Sequence, residues 1–121
     1  MLIKPVTVAE TKLFIRQATD VWSNPERSEF IDFIARNPEA GDVIQETGGV
    51  RKVRWIRQGS GKRGGVRVIY FYLHMEAPLY LLMVYAKARR DDLSSDEKRA
   101  VQELAARLKR AYPGSGERRA T

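Results

Sequence analysis

Apolar and polar positions follow two different periods along the chain, and these periods divide it into helices and strands. In residues 10–22 and 24–37, apolar side chains recur every three or four positions, as in a helix that packs one face on a core. A third stretch of this kind follows Ser94 and Glu97, which form a capping-box pattern. We expect Asn24 to cap the second helix and Asn37-Pro38 to end it.

Strands are predicted where the apolar positions recur every second residue or form a continuous apolar run. The four candidates are Lys4–Val8, Val50–Arg57, Val66–His74 and Leu79–Lys87. The chain order is therefore strand, two helices, three strands and helix. This order predicts an α+β fold, with an antiparallel, mixed-edge, four-stranded sheet, two N-terminal helices and one C-terminal helix. Residues 1–112 would form one domain, and residues 113–121 a flexible C-terminal tail.

The same alternation assigns side chains to faces of the sheet. Lys52 and Arg54 share one face of their strand, whereas Arg67 lies on the opposite side of its strand from Tyr70 and Tyr72. The three cations meet on one face only if the strand register permits, and register is not readable from sequence. In the connector before these strands, Val43 and Ile44 are expected to dock on the core.

The positive charge is concentrated in the middle of the chain. The formal net charge is +7. Residues 51–90 contain ten Lys/Arg and one acid, Glu76, for a net +9, whereas residues 1–50 contain five Lys/Arg and eight acids, for a net −3. Such a patch attracts phosphate backbones, although a merely soluble basic surface is the alternative.

Length and composition limit the class of protein. A chain of 121 residues can bury one core. It has no cysteine, which excludes disulfides and thiolate metal sites. It has no apolar run long enough to span a membrane and no secretory segment at its start. We therefore expect a cytoplasmic protein without a membrane partner.

A glycine-rich segment, "GSGKRGGVRVIYFY", begins at Gly59 and contains a G-x-G-x-x-G pattern. In a dinucleotide site this pattern precedes a helix, but here a predicted strand follows it. We therefore favour a link between two antiparallel strands over a phosphate-binding loop.

The residues that remain for catalysis are Lys, Arg and Tyr. The single histidine, His74, allows no two-histidine acid–base pair, and the basic centre holds only one acid. We interpret His74 as a surface residue at a strand end. Basic side chains can still cleave RNA, because the 2′-OH is an internal nucleophile held beside its phosphate. Arginine stabilises the extra phosphate charge, and a lysine crowded by cations can act as a base.

Two blocks of sequence carry a family resemblance. The stretches "GDVIQETGGVRKVRWIRQGSGKRGGVRVIYFY" and "LYLLMVYAKARRDDLSSDEK" resemble the HigB branch of RelE-type toxins, in the RelE/ParE superfamily. The resemblance covers roughly residues 3–110. It implies the toxin of a type II toxin–antitoxin pair, a metal-independent endoribonuclease that cleaves mRNA on the ribosome and uses no cofactor. Its partners would be the ribosome, mRNA and a cognate helix-turn-helix antitoxin.

The resemblance also assigns residues. The catalytic cleft would consist of Lys52, Arg54, Arg67 and Lys87. Arg67 would bind the scissile phosphate, Arg54 or Lys52 would act as general base or stabilise charge, and Lys87 would stabilise the transition state.

The remaining RNA contacts are expected around this cleft. Lys62 and Arg63 would touch the RNA backbone, and Arg51 and Arg57 would steer it. Where related toxins carry a base-stacking tyrosine, this chain reads "DDLSS". Tyr70, Tyr72 or Tyr85 could stack on the base instead. For Tyr70 and Tyr72, packing in the sheet is an equal alternative.

Two alternative functions remain open. The basic face could belong to a non-catalytic nucleic-acid-binding module, or the chain could be a protein-interaction domain. Arg89 and Arg90 are interpreted as a solvated charge cluster.

Overall fold

A computed structural model describes residues 4–56, 65–90 and 92–113. Within these residues the elements are, in order, β1 (Val8–Glu10), α1 (Lys12–Val21), α2 (Asn24–Arg36), β2 (Asp42–Val43), β3 (Val50–Trp55), β4 (Val66–Phe71), β5 (Leu79–Ala86) and α3 (Ser95–Ala111). The first strand begins later than predicted, and the three long strands end slightly earlier. The expected boundary at residue 112 stays a prediction, because residues 114–121 lie outside the described part.

Serine side chains fix the starts of α2 and α3. Ser23 pairs with Glu26, and Ser94 with Glu97, in complete capping boxes. The capping box predicted at Ser94 is thus confirmed. The cap of α2 is Ser23, one residue before the predicted Asn24, because the serine hydroxyl reaches the Glu26 backbone amide.

The described strands form one sheet in the order β1-β5-β4-β3-β2. β1 runs parallel to β5, and every other neighbouring pair is antiparallel. The α+β class with a mixed edge is therefore confirmed. The sheet has five strands rather than four, because Asp42 and Val43 pair with Lys52 and Arg51 at the end of the predicted connector.

One side of the sheet, here called the α1/α2 face, is covered by the first two helices. Phe14 of α1 and Phe30 and Ile34 of α2 are fully buried, and they pack with Val68 and Leu81 of the strands. This burial supplies most of the hydrophobic stabilisation on this side. The face is therefore closed to a large ligand.

The other side, called the α3 face, is covered only in part. Val101 and Ala105 of α3 pack with Leu82 of β5 and with Val50 and Phe71, which lie where β3 begins and β4 ends. The far end of the same strand pair lies outside this apolar cluster. Among the described residues, α3 therefore packs on one half of this face and leaves the half with the far ends of β3 and β4 outside the cluster.

The connector between α2 and β3 is held by Tyr70. The Tyr70 hydroxyl donates to the Pro38 carbonyl oxygen and accepts from the Gly41 backbone amide, at 2.8 Å each. Ile44 packs against the α3-face cluster as expected. The expectation for Val43 is wrong, because this side chain points outward from the edge strand and is 53% exposed.

Gly65, directly before β4, has a backbone conformation that favours glycine. Its φ angle is +69°, and a Cβ atom here would overlap the Trp55 carbonyl oxygen. The antiparallel pairing of β3 with β4 agrees with a hairpin link rather than a strand-to-helix phosphate loop. The residues of the link itself, 57–64, lie outside the described part.

Candidate nucleic-acid interface

The register of β3 and β4 brings predicted site residues together on the α3 face. Arg54 lies directly opposite Arg67, and Lys52 lies opposite Ile69. Because side chains alternate along a strand, the three cations share the face that carries Val50 and is packed against α3 at its other end. Arg54 is exposed, and Lys52 and Arg67 are half-buried.

The β3–β4 register places two like charges, Arg54 and Arg67, at facing positions. Directly opposite residues on antiparallel strands have Cβ atoms about 5 Å apart, and like charges at that spacing repel. An anion bound between two such cations would turn this repulsion into two favourable interactions. The pair therefore suits a ligand that carries a phosphate group, since the guanidinium fork matches phosphate oxygens.

Tyr85 of β5, which is buried in the α3-face cluster, and Arg90 of the following loop adjoin this surface. Tyr85 pairs with Arg67 in the β4–β5 register. The Arg90 guanidinium carbon lies 4.3 Å from the centre of the Tyr85 ring. Arg90 also donates two hydrogen bonds to Glu97, at 2.6 and 3.0 Å. Arg90 is therefore a bonded part of the surface and not the solvated charge that we expected.

Glu97 has two structural roles at the start of α3. It accepts hydrogen bonds from Arg90 and from the Ser94 backbone amide. The hydrogen bonds from Arg90 hold the pKa of the Glu97 carboxyl below its ordinary value, although partial burial acts in the opposite direction. The first turn of α3 thereby positions Arg90 over Tyr85.

Lys52 forms an ion pair with Asp92, an acid of the loop between β5 and α3. Its Nζ atom lies 2.8 Å from an oxygen of Asp92, whose side chain is 77% exposed. A surface ion pair of this kind contributes about 0–1 kcal/mol. Asp92 is therefore a carboxylate that a phosphate group can displace.

Lys87 directly follows β5. Its backbone amide donates to the Gly65 carbonyl oxygen at 3.1 Å, which ties it to the start of β4 next to Val66. The residue is half-buried. The backbone of Lys87 thus lies at the same end of the sheet as the Arg54–Arg67 pair.

Three of the predicted RNA-binding residues lie on the α1/α2 face rather than beside the Arg54–Arg67 pair, which for Tyr70 and Tyr72 agrees with the alternative of packing in the sheet. Tyr70 is fully buried and bonded to the connector. Tyr72 packs against the α1/α2-face cluster. Arg51 lies opposite Tyr70 and donates to the Gly41 carbonyl oxygen at 2.7 Å. Their side chains support the fold, because the odd and even positions of each strand face opposite ways.

Some predicted contacts lie outside the part of the chain that the structure describes. These are Arg57, Lys62 and Arg63. His74 is described: its Nε2 lies 3.0 Å from the Tyr112 carbonyl oxygen, and its Nδ1 accepts from the Glu76 amide. His74 is half-buried and connects a strand end to the end of α3, so it is less exposed than the surface residue we expected.

Sequence reasoning gave little weight to Arg90 and none to Asp92 or Glu97. The alternation of side chains along β5 could indicate which face Tyr85 lies on. Its position next to Arg67 could be known only from the β4–β5 register. This register contains an irregularity between Ile69 and Tyr70. A contact between side chains of a loop and a helix, such as Arg90 with Glu97, leaves no periodic pattern.

Within residues 4–56, 65–90 and 92–113, no group of three or more His, Cys, Asp or Glu side chains is placed to hold a metal ion. None of the helices described combines the length and the apolar character needed to cross a membrane.

The fold and the basic surface define a small α+β protein with a cationic, half-open sheet. The family model described as the RelE toxin of the RelE/RelB toxin–antitoxin system matches residues 11–113. The chain therefore belongs to the RelE toxin family, as its sequence blocks indicated, and this membership implies an antitoxin as partner.

A solved structure shows the same fold. A mutant of the Escherichia coli toxin RelE in the free state matches with a TM-score of 0.55 and 10% sequence identity, over 84% of this chain and 97% of that chain. At this identity the match supports the architecture alone.

Proposed function

We propose that this toxin is a metal-independent, ribosome-dependent endoribonuclease that cleaves mRNA and so inhibits translation. The observation that carries the proposal is the direct pairing of Arg54 with Arg67, on the half of the α3 face that the described part of α3 does not cover. Two guanidinium groups at facing strand positions can together bind the oxygens of one phosphodiester, because the guanidinium fork matches phosphate geometry.

The proposed reaction uses the RNA's own nucleophile. The 2′ oxygen forms a bond to phosphorus and loses its proton, the bond from phosphorus to the 5′ oxygen breaks, and the leaving oxygen gains a proton. The products are a 2′,3′-cyclic phosphate and a 5′-hydroxyl end. No metal ion is needed if cations stabilise the doubly charged phosphorane.

The side chains have complementary roles in this proposal. Arg67 binds the scissile phosphate, because it is the central member of the cationic surface, between Arg54 of β3 and Tyr85 of β5. Arg54 or Lys52 acts on the 2′-OH or stabilises charge. Lys87 stabilises the transition state from the end of β5.

In this proposal, the ribosome holds the RNA strand in position for the protein. The described surface around Arg54 is exposed rather than enclosed, so the protein alone holds an RNA strand weakly in position. A messenger already fixed in a ribosome would bring a defined phosphodiester to the cations. By resemblance to the HigB branch, we further propose a helix-turn-helix antitoxin as partner and a cytoplasmic location.

A translation reaction with purified protein tests the proposal. We expect new messenger 5′ ends only when ribosomes are present, and no cut where the nucleotide 5′ of the expected break carries a 2′-deoxy sugar. Salt-dependent RNA binding with an intact messenger would instead identify a non-catalytic nucleic-acid-binding module. Adding the protein encoded by a neighbouring reading frame should suppress the cleavage.

A further inference from the structure

A second concave surface lies at the end of the sheet, on the side opposite the Arg54–Arg67 pair. It is a cleft of about 510 Å³ between the C-terminal half of α1 and the adjacent ends of β4 and β5. Its apolar walls include Val21, Val66, Val84 and Ala86. The residues with polar side chains on it are Gln17, Asp20, Arg89 and Tyr85, the last of which also adjoins the cationic surface.

The cleft adjoins the proposed cleavage site through the backbone. Val66 precedes Arg67 on β4, and Ala86 lies between Tyr85 and Lys87. Neighbouring residues on a strand point to opposite faces, so the cleft and the cations lie back to back at the same end of the sheet. A nucleotide next to a phosphate held by Arg67 can therefore turn over this end and enter the cleft.

Stability does not explain the acid in this cleft. Asp20 lies in the last turn of α1, where the helix dipole disfavours a negative charge. Among the described residues, neither Asp20 nor Arg89 has a side-chain hydrogen bond or ion pair, although both line the same cleft. Two complementary charges are thus available to a ligand.

Gln17 has a fixed amide orientation. Its Oε1 atom accepts a hydrogen bond from the Val84 backbone amide at 3.0 Å. Since Val84 has no strand partner on that side, this bond holds the amide oxygen toward the sheet edge. The Gln17 amino group is left as a donor.

These groups match one nucleobase better than the other three. Guanine presents two adjacent donors, N1–H and the N2 amino group, and a carboxylate such as Asp20 accepts both. Its O6 and N7 acceptors suit amide or guanidinium donors such as Gln17 and Arg89. The Watson–Crick edges of adenine, cytosine and uracil lack two adjacent donors, and unpaired RNA bases are read on such edges.

We propose that this cleft binds an unpaired guanine next to the cleaved phosphodiester, with Asp20 as the specificity-determining residue. The inference rests on the proposed function, since it takes RNA as the ligand of the adjoining cations. The cleft of about 510 Å³ has room for a planar base against its apolar walls, whereas a stable protein interface buries about 800 Å² per partner.

A binding assay without cleavage tests this inference. Short single-stranded RNAs with 2′-O-methyl sugars, each with one guanine, inosine or adenine in a uridine background, are titrated with the protein by fluorescence anisotropy. We expect the guanine RNA to bind about tenfold more tightly than the inosine RNA, which lacks the N2 amino group. Asp20→Asn should abolish this difference.

The matched control is Glu103→Gln, which removes the same charge from an exposed position on α3. This variant should keep the guanine preference. Equal binding of the three RNAs by the wild type would overturn the inference, and so would an unchanged preference in Asp20→Asn. The inference would also be overturned if Asp20→Asn weakened antitoxin binding and left RNA binding unchanged. That result would identify Asp20 as a protein contact.

The assay separates this inference from the proposed function. If the wild type prefers guanine through Asp20 but never cuts the messenger, the cleavage proposal is wrong and the inference about the cleft is supported. If cleavage occurs with Arg67 dependence but without any guanine preference, the cleft fails and the cleavage proposal stands.

Discussion

At the scale of residues, Arg54 and Arg67 are the centre of the basic surface. They face each other across two strands, and Lys52 lies two residues further along β3 with Asp92 as its partner. The described acids near them come from the loop before α3 and from α3 itself. The cations and these acids together form a surface whose charge balance changes when an anion binds.

Asp92 competes with RNA for Lys52. Asp92→Asn should therefore increase RNA affinity by about two- to fivefold, the equivalent of a surface ion pair. Fluorescence anisotropy with a non-cleavable RNA measures the effect. Asp32→Asn, which breaks an exposed ion pair with Arg36 on α2, serves as the control and should change nothing. Equal affinity of Asp92→Asn and the wild type would show that this carboxylate does not restrain Lys52.

Tyr70 is expected to act on stability rather than on RNA. Tyr70→Phe removes the hydroxyl that joins Pro38 and Gly41, and leaves a buried amide without its partner. We expect a loss of about 1–3 kcal/mol in the free energy of unfolding, measured with denaturant, and unchanged RNA affinity. A weaker RNA complex with intact stability would return Tyr70 to the binding surface.

At the scale of elements, α3 both covers half a sheet face and positions the loop beside the cations. Glu97 combines the two functions, because it closes the capping box of α3 and holds Arg90 over Tyr85. The folding of this helix and the geometry of the basic surface are thus linked by one carboxylate.

The pH dependence of stability tests this link. The pKa of Glu97 is lowered in the folded state, so its contribution is present above the unfolded value of about 4.5 and is lost as the pH falls through the folded value. Glu97→Gln should reduce stability at pH 7 by up to about 1 kcal/mol, since the pair is about one-third exposed. The difference from the wild type should shrink at pH 3.

Denaturant unfolding at both pH values measures this difference. Glu103→Gln is the control, as an exposed glutamate of the same helix. A deficit of Glu97→Gln that stayed constant from pH 7 to pH 3 would mean that the charge of Glu97 has no part in it.

Sequence periodicity predicted the helices and the three long strands, because each element packs one side on a core. It missed β2, whose two residues are exposed and carry no apolar pattern. The alternation of side chains correctly predicted on which side of its strand each of Lys52, Arg54 and Arg67 lies. That Arg54 lies opposite Arg67 depends on the strand register, which the sequence does not show. Asp92 and Glu97 depend on how a loop folds back, which no local pattern encodes.

At the scale of the molecule, one sheet separates two environments. The α1/α2 face is closed by aromatic packing, whereas the α3 face leaves half of its strands to cations. The net charge of +7 reflects mainly the residues of this central sheet and its loops. An RNA strand is therefore attracted to one side of the molecule, and its binding should weaken steeply with added salt.

The most direct test of the central claim measures messenger cleavage by Arg67→Gln on programmed ribosomes. Arg107→Gln, which removes the same charge from an exposed site on α3, is the matched control. We predict at least about a 100-fold slower cleavage for Arg67→Gln, with an unfolding temperature within about 4 °C of the wild type, and wild-type cleavage for Arg107→Gln. Cleavage at the wild-type rate by folded Arg67→Gln would contradict a phosphodiester held between β3 and β4.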